Sequence, residues 1–238
     1  CIRDRNIATC LAEMGNEVLV VDFDPQANAT SALGVEPGSF STSIYEVILE
    51  YVEMHECIIK TEWPSLSLAP ANSDLSGAEI ELVSAFNRER FLKTAIESVI
   101  TEYDYVFIDC PPSIGLLTIN ALTAAGEVLV PIQCEYYALE GLSQLLNTIR
   151  LVQKKLNKNL AIEGILATMF DNRLNLSKEV VRELKEYFKD KVYKTKIHRN
   201  VRLGEAPSHG QPILLYDASS MGANDYMNLA MEFLKNNE

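Results

Sequence analysis

No stretch of this sequence approaches about 18 consecutive apolar residues, so it offers no transmembrane helix. It also shows no secretory-signal pattern. Its five cysteines, Cys1, Cys10, Cys57, Cys110 and Cys134, form no C-x-x-C pair. An odd, scattered set of this kind reads as reduced thiols in a cytoplasmic protein. Histidines are few: His198 and His209 lack metal-site spacing, and no cysteine lies close to either. There is no G-x-S-x-G elbow and no Ser-His-Asp order. Zinc centres and catalytic triads are thereby excluded. Gly/Ser-rich or Pro-rich linkers and internal repeats are absent too, so no domain boundary is drawn within the 238 residues. Positive charge is scarce: 21 Lys and Arg stand against 33 Asp and Glu, a net charge of −12. At first sight that argues against nucleic acid.

The remaining composition, 47% hydrophobic and 23% charged, is that of a folded globular domain and excludes disorder. The charge is unevenly spread. Residues 150–202 hold 14 of the basic and only 6 of the acidic residues, a local net charge of +8 on an acidic body of −20. Such a segment can face a polyanion, or it can be a solvated helix surface balanced by acidic neighbours.

Short apolar runs alternate with longer helical patterns. Strands are expected at Glu17–Phe23, Leu66–Ala69, Tyr103–Asp109, Val128–Ile132, Ile162–Thr168, Val192–Ile197 and Pro212–Leu215. Helices are expected at Asn6–Met14, Ser76–Ile100 (with a possible break), Gly115–Ala124, Leu139–Leu156, Ser177–Lys189 and Asn224–Asn236. Nearly all-apolar strands alternating with helices predict an α/β fold, a mostly parallel sheet with helices on both faces. Ligands of such sheets lie beyond the carboxyl ends of the strands.

Four strand ends carry polar chemistry. V-V-D-F-D-P-Q-A-N releases Asp22 and Asp24 together; each can orient a water or reach a metal's hydration shell, or simply cap the following loop. D-Y-V-F-I-D-C-P-P-S ends an apolar run on Asp109, the pattern by which a Walker B strand holds Mg²⁺ through water; a capping role is the other reading. T-M-F-D-N-R places Met169, Asn172 and Arg173 in a loop where Met can pack on a base and Asn can bond its edge, although Met169 alone is equally a core residue. I-H-R-N-V-R-L-G-E-A-P-S-H-G concentrates two arginines and a rigid A-P-S turn in one loop.

These stretches, with G-A-E-I-E-L-V, the continuation S-I-G-L-L-T-I-N-A-L-T-A and Q-C-E-Y-Y-A-L-E-G-L-S-Q-L-L-N-T-I-R, run in collinear order from Asn6 to the end. In that order they resemble the ParA/Soj family of chromosome- and plasmid-partitioning ATPases. The resemblance implies a P-loop NTPase fold of the deviant Walker type. It also implies MgATP binding, an ATP-dependent homodimer and sequence-independent binding of double-stranded DNA. A ParB-like partner would stimulate hydrolysis in the cytoplasm, at the nucleoid. By motif, Asp24 resembles the residue positioning the attacking water and Asp109 the Mg²⁺ residue. Met169 and Pro207 fall in the two loops of the adenine pocket. Arg173, with Arg199 and Arg202, falls where the family contacts DNA, which gives the basic segment a meaning.

The sequence departs from the family at its start. Cys1–Arg5 reads C-I-R-D-R where the family continues from K-G-G-V-G-K-T-T, so the first strand and P-loop are missing. The backbone N–H cradle and lysine that hold phosphates are lost with them. Two buried strand edges would be left unpaired, at about 1–3 kcal/mol for each orphaned group. His198 replaces a usual Pro, and Gly204 a usual Ser. The expectation is one ParA-like ATPase domain over residues 1–238, N-terminally incomplete and a poor binder of ATP as written. The alternative is a non-catalytic DNA- or partner-binding module derived from the same family. A MinD-like membrane role fits less well, because D-Y-M-N-L-A-M-E-F-L-K-N-N-E carries three acids and one lysine, unsuited to anionic lipid. If Arg173 contacts phosphates, Arg173→Ala weakens binding to all duplex sequences about equally; an unchanged salt titration would contradict it.

Overall fold

The computed structural model describes residues 2–36, 38–135 and 138–237. Cys1, Glu238 and the tyrosines of the Q-C-E-Y-Y stretch, Tyr136 and Tyr137, lie outside them. The chain opens with α1 (Ile2–Glu13), which leads into β1 (Val18–Asp22), a strand buried at all five positions as its V-L-V-V-D run requires. Three short helices follow: α2 (Asn28–Ala32), α3 (Ile44–Ile48) and α4 (Met54–Cys57). Then come β2 (Ile59–Lys60), β3 (Leu66–Ala69), α5 (Leu75–Glu81), α6 (Phe91–Glu97) and β4 (Tyr105–Asp109). The second half contains α7 (Leu116–Ala124), β5 (Glu127–Gln133), α8 (Ala138–Lys155), β6 (Ala161–Thr168) and α9 (Asn175–Phe188). It closes with α10 (Val201–Glu205), α11 (Ile213–Tyr216) and α12 (Met221–Asn237).

The strands form a four-stranded sheet in the order β2-β3-β1-β4 and a two-stranded sheet of β5 and β6. All pairings are parallel except the short β2 on the outer edge. Among the described residues, β4 pairs only with β1 and β5 only with β6, so each keeps one unpaired edge. One core nevertheless runs under both sheets. Ile7 and Leu11 of α1, Val18 and Val20 of β1, Leu166 of β6 and Leu229 of α12 belong to a single cluster, with Leu129 of β5 packed against it. Tyr105 and Phe107 of β4 meet Phe233 of α12 at ring-centroid distances of 5.4 and 6.0 Å. Helices α1 and α12 therefore hold together what hydrogen bonding between strands does not.

Two expectations need correction. Residues 192–197 run parallel beside β6 but make only isolated bridges, although Tyr193 and Ile197 donate to Ile165 and Ala167. The backbone N–H groups of Lys194 and Thr195 are instead taken at 2.8 Å by the carboxylate of Glu232 on α12. Pro212–Leu215 is not a strand: Pro212 precedes α11, whose first N–H, that of Ile213, bonds Asn6 Oδ1 at 2.9 Å. The possible break within 76–100 is present: the stretch divides into α5, two 3₁₀ turns and α6, with Asn87 at φ +56° between the turns. The short α2, α3 and α4 and strand β2 were too brief to carry a periodic signal.

Cys10, Cys57, Cys110 and Cys134 are free thiols; burial pushes the first three up to about 12 and Cys134 to about 11, so they are inert. Two buried charges stand out. Arg5 on α1 has no exposed surface; its Nη1 donates to the Ala32 carbonyl at 3.1 Å, while Nε and Nη2 have no hydrogen-bond partner among the described residues. Burial lowers its pKa to about 10. Glu163 on β6 accepts a hydrogen bond from the Tyr193 hydroxyl. Gly164 beside it is obligatory, because a Cβ there would lie 2.4 Å from the Tyr193 ring.

Burial raises the pKa of Glu163. The folded state thus binds its proton more tightly than the unfolded one, and stability falls as pH rises through that interval. Glu163→Gln, which keeps the acceptor for Tyr193, is expected to raise stability by about 1 kcal/mol at pH 8. The gain should vanish below the ordinary glutamate value of about 4.3, as measured by urea unfolding at the two pH values.

Candidate functional site

The site is built where β1 and β4 end side by side. Their parallel register sets Asp22 opposite Asp109, both buried. Asp22 is structurally occupied. Its Oδ2 accepts both the backbone N–H and the hydroxyl of Thr30 at 2.7 Å, and Thr30 Oγ1 in turn accepts the N–H of Ala71 just beyond β3. Burial raises the Asp22 pKa, and the bonds from Thr30 and from the Asp24 backbone oppose that shift. Of the two readings of Asp22, the structure realises the capping one. Thr30 was not read from the sequence; a hydroxyl eight positions downstream of an Asp is too common to stand out.

The turn held between these anchors presents Asp24. Its Oδ1 accepts the N–H of Gln26 at 3.0 Å, an Asx turn around Pro25, and the side chain is half-buried. Ala27, at φ +50°, closes the turn in the left-handed region before α2. That is strain stored in the loop beside the site. Asp109 is different from Asp22. Burial, with the negative charges of Asp4 and Asp22, pushes its pKa up to about 7.

These residues suit one end of a magnesium–nucleotide complex. Mg²⁺ takes hard oxygen ligands, keeps several waters and needs one or two carboxylates from the protein. Asp109 is such a group, and a cation would relieve the repulsion that raises its pKa. Among the described residues no three of His, Cys, Asp and Glu converge on a metal position, so waters or a ligand would complete the shell. The phosphate end does not fit. The first turn of α1 carries Asp4, close enough to Asp109 to disfavour its ionisation, where a triphosphate would need donors and positive charge.

Beyond β6, Met169 is 38% exposed at φ +52°, a strained projection out of the core rather than core packing. The next residue locks it: Phe170 donates to the Ile197 carbonyl and accepts from the Arg199 N–H, both at 3.0 Å. Asn172 Nδ2 lies 3.4 Å from His198 Nε2, and His198 Nδ1 lies 3.0 Å from Asp225 on α12. Asp225 and Glu232, two of the acids in the C-terminal tail, thus serve internal anchoring. Pro207 starts a 3₁₀ turn over Ala206–His209. That turn is pressed on the loop after α2, where Gly210 and Gly34 approach so closely that a Cβ on Gly210 would lie 3.1 Å from Gly34 Cα. Met169 and Pro207 share no core cluster and no hydrogen bond among the described residues.

The arginines differ in their freedom. Arg173 is exposed but bound to Asp171 through Nε at 3.0 Å and Nη2 at 2.7 Å. Arg202 lies between Glu205 at 2.9 Å and Asp217 at 3.5 Å. Arg199 is exposed, and its charge acts on the nearby Asp171 carboxylate. Helix α9 buries Val180, Val181 and Leu184 and exposes Lys178, Arg182 and Lys185. Spacings of four and three residues put these three cations on one stripe, about 10 Å long, and Lys189 follows just past the end of the helix. Asp171 was missed as a functional neighbour; the D-x-R spacing was its signal. Asp225 had none, lying 27 positions from His198.

A family model described as an AAA domain matches residues 3–162. The sporulation initiation inhibitor protein Soj of Bacillus subtilis is 57% identical over 231 residues, covering 97% of this chain and 91% of that protein. The chromosome partitioning protein ParA of Myxococcus xanthus is 51% identical over 230 residues, covering 97% and 81%. Among solved structures, cobyrinic acid a,c-diamide synthase from Mycobacterium smegmatis with bound ATP analogue and magnesium superposes with a TM-score of 0.85 at 36% identity, covering 99% of this chain and 90% of that one. The cell division ATPase MinD of Pyrococcus furiosus shares the fold, with a TM-score of 0.79 at 24% identity, covering 98% and 92%.

The two strand-end carboxylates should separate in a stability assay. Asp22→Ala strands the Thr30 donors and is expected to cost about 2 kcal/mol or more. Asp109→Asn removes a desolvated charge and is expected to raise stability at pH 8. Urea unfolding of both variants checks this; equal losses would contradict the division of roles.

Proposed function

We propose, since the chain belongs to the Soj/ParA family of chromosome-partitioning proteins, that it serves an ATP-dependent DNA-partitioning switch. The observation that carries this reading is the strand-end pair: Asp22 braces the β1–α2 turn, and Asp109, in register beside it, is a buried carboxylate whose pKa burial raises. In this reading Asp109 holds Mg²⁺ through water, and Asp24, whose Oδ1 is used by the turn, offers its other oxygen to a water. Met169 and Pro207 border the adenine from two loops. When bound, MgATP supplies the driving reaction of such a switch.

The unpaired edges of β4 and β5 support reading residues 1–238 as one ATPase-type domain that lacks a strand of its sheet. The DNA-facing surface is the α9 stripe with Arg173 and Arg199, and Arg202 at its margin. Phosphate contacts of this kind carry no sequence information, which suits coating of arbitrary duplex. An ATP-dependent homodimer and a ParB-like protein are the expected partners, and the nucleoid in the cytoplasm the expected location. No described helix is long and apolar enough to cross a membrane.

A second reading is favoured by one observation. Asp4 beside Asp109 makes the phosphate end anionic, as a DNA- or partner-binding module without nucleotide control would tolerate. Retention on random-sequence duplex DNA, with and without ATP and Mg²⁺, tells the two apart. A switch is retained only with nucleotide; a module is retained equally in both. No retention in either condition would overturn the DNA reading altogether.

A further inference from the structure

We propose that Asp171 sets the strength of the DNA-facing surface, by holding the Arg173 guanidinium in an ion pair whose charge a backbone phosphate must share. This rests on the reading of that surface as a DNA contact. The two side chains are unequally placed: the Asp171 carboxylate is 14% exposed and the Arg173 side chain 88%. The carboxylate forms the floor and the arginine the outer layer. Three bonds define the arrangement. Arg173 Nε and Nη2 donate to Oδ1 and Oδ2 in a bidentate pair, and the Arg173 backbone N–H donates to Oδ1 at 2.9 Å. The Ser177 hydroxyl lies 3.4 Å from the Asp171 N–H, tying the floor to the first turn of α9.

A guanidinium has five N–H donors, and this pair consumes two. Three remain directed outward, so a phosphate can bind without breaking the pair. What it meets is a nearly neutral ion pair rather than a full positive charge. Arg199 adds to the effect. Its charge also stabilises the ionised Asp171, so one carboxylate offsets two of the arginines assigned to DNA. The Arg173 guanidinium holds Asp171 below the usual carboxylate range, which favours its ionised form in the pair. The effect of the pair is to keep DNA binding weak and reversible while fixing the direction in which Arg173 points.

Asp171→Asn tests this. Asparagine keeps the oxygen that accepts the Arg173 backbone N–H, so the loop is preserved while the negative charge is removed. Asp190→Asn is the control: it changes net charge equally and lies in the same basic segment, between Lys189 and Lys191, with no arginine paired to it among the described residues. Fluorescence anisotropy with a random-sequence 20-base-pair duplex is read across a salt series with ATP and Mg²⁺ present, and thermal unfolding verifies that each variant is folded. Asp171→Asn is expected to bind about three- to tenfold more tightly near 0.1 M salt, and its log–log salt slope to steepen by about one. Asp190→Asn should change little, and Arg173→Ala placed on Asp171→Asn should abolish the gain. Unchanged or weaker binding by Asp171→Asn, or an equal gain from Asp190→Asn, overturns the proposal and leaves the DNA reading standing. Absence of binding by every protein even at low salt overturns both.

Discussion

A buried carboxylate must be satisfied where it sits, and Asp22 is satisfied by Thr30. That requirement organises the strand-end face. Because both the N–H and the hydroxyl of Thr30 converge on one oxygen, the intervening residues 23–29 have little freedom. The turn carrying Asp24 takes a single shape, strained enough to need Ala27 in the left-handed region. Because the same hydroxyl accepts the Ala71 N–H, the end of β3 is tied to the start of α2. Three neighbouring segments thus share one hydroxyl, and Asp109, paired in register with Asp22, inherits a rigid surrounding.

Charge divides the molecule into two poles. At the strand ends, Asp4 and Asp22 lie near Asp109, and burial, together with their negative charges, raises its pKa. Such a pole favours a hard cation and opposes a phosphate. Past β6 the sign reverses, with α9 carrying a stripe of Lys and Arg over an apolar underside. The loop between 169 and 173 lies between the two regimes. One of its residues is strained outward, one is joined to α12 through His198 and Asp225, and one is an arginine seated on an aspartate. The net charge of −12 hides this arrangement, because an average over the chain says nothing of which charges share a surface.

The sheet is completed by packing rather than by pairing. β4 and β5 each have an edge without a strand partner among the described residues, yet α1 and α12 cover both halves with one continuous core. Apolar burial is non-directional and tolerates the interruption; backbone hydrogen bonds do not. An apolar cavity of about 280 Å³ between β5 and α8, lined by Val130 to Gln133, Gly141, Leu142 and Leu145, shares no residue with the strand-end site. Arg5 adds a second imperfection. A buried guanidinium with two nitrogens unpartnered among the described residues is costly, and it falls in the same short stretch that departs from the family pattern.

Local sequence was sufficient for the long elements. Residues 18–22, 66–69, 105–109 and 161–168 are strands because short, mostly apolar runs are buried or half-buried in a sheet covered by helices. α1, α7, α8, α9 and α12 follow their periodicity to within a few residues. Short motifs at strand ends brought Asp24, Asp109, Met169 and Arg173 forward, and the family resemblance supplied their expected roles and that of Pro207. Tertiary structure decided what those residues are bonded to. Residues 192–197 lost their ladder to Glu232, a carboxylate 37 positions or more away. Pro212–Leu215 became a helix because Asn6, from the other end of the chain, caps it. Asp22 became a brace and Asp109 a destabilised carboxyl, though both end apolar strands, because only one of them has Thr30 within reach. A strand's residues dictate its own conformation through burial, whereas the partner of a buried polar atom depends on which distant segment folding brings beside it.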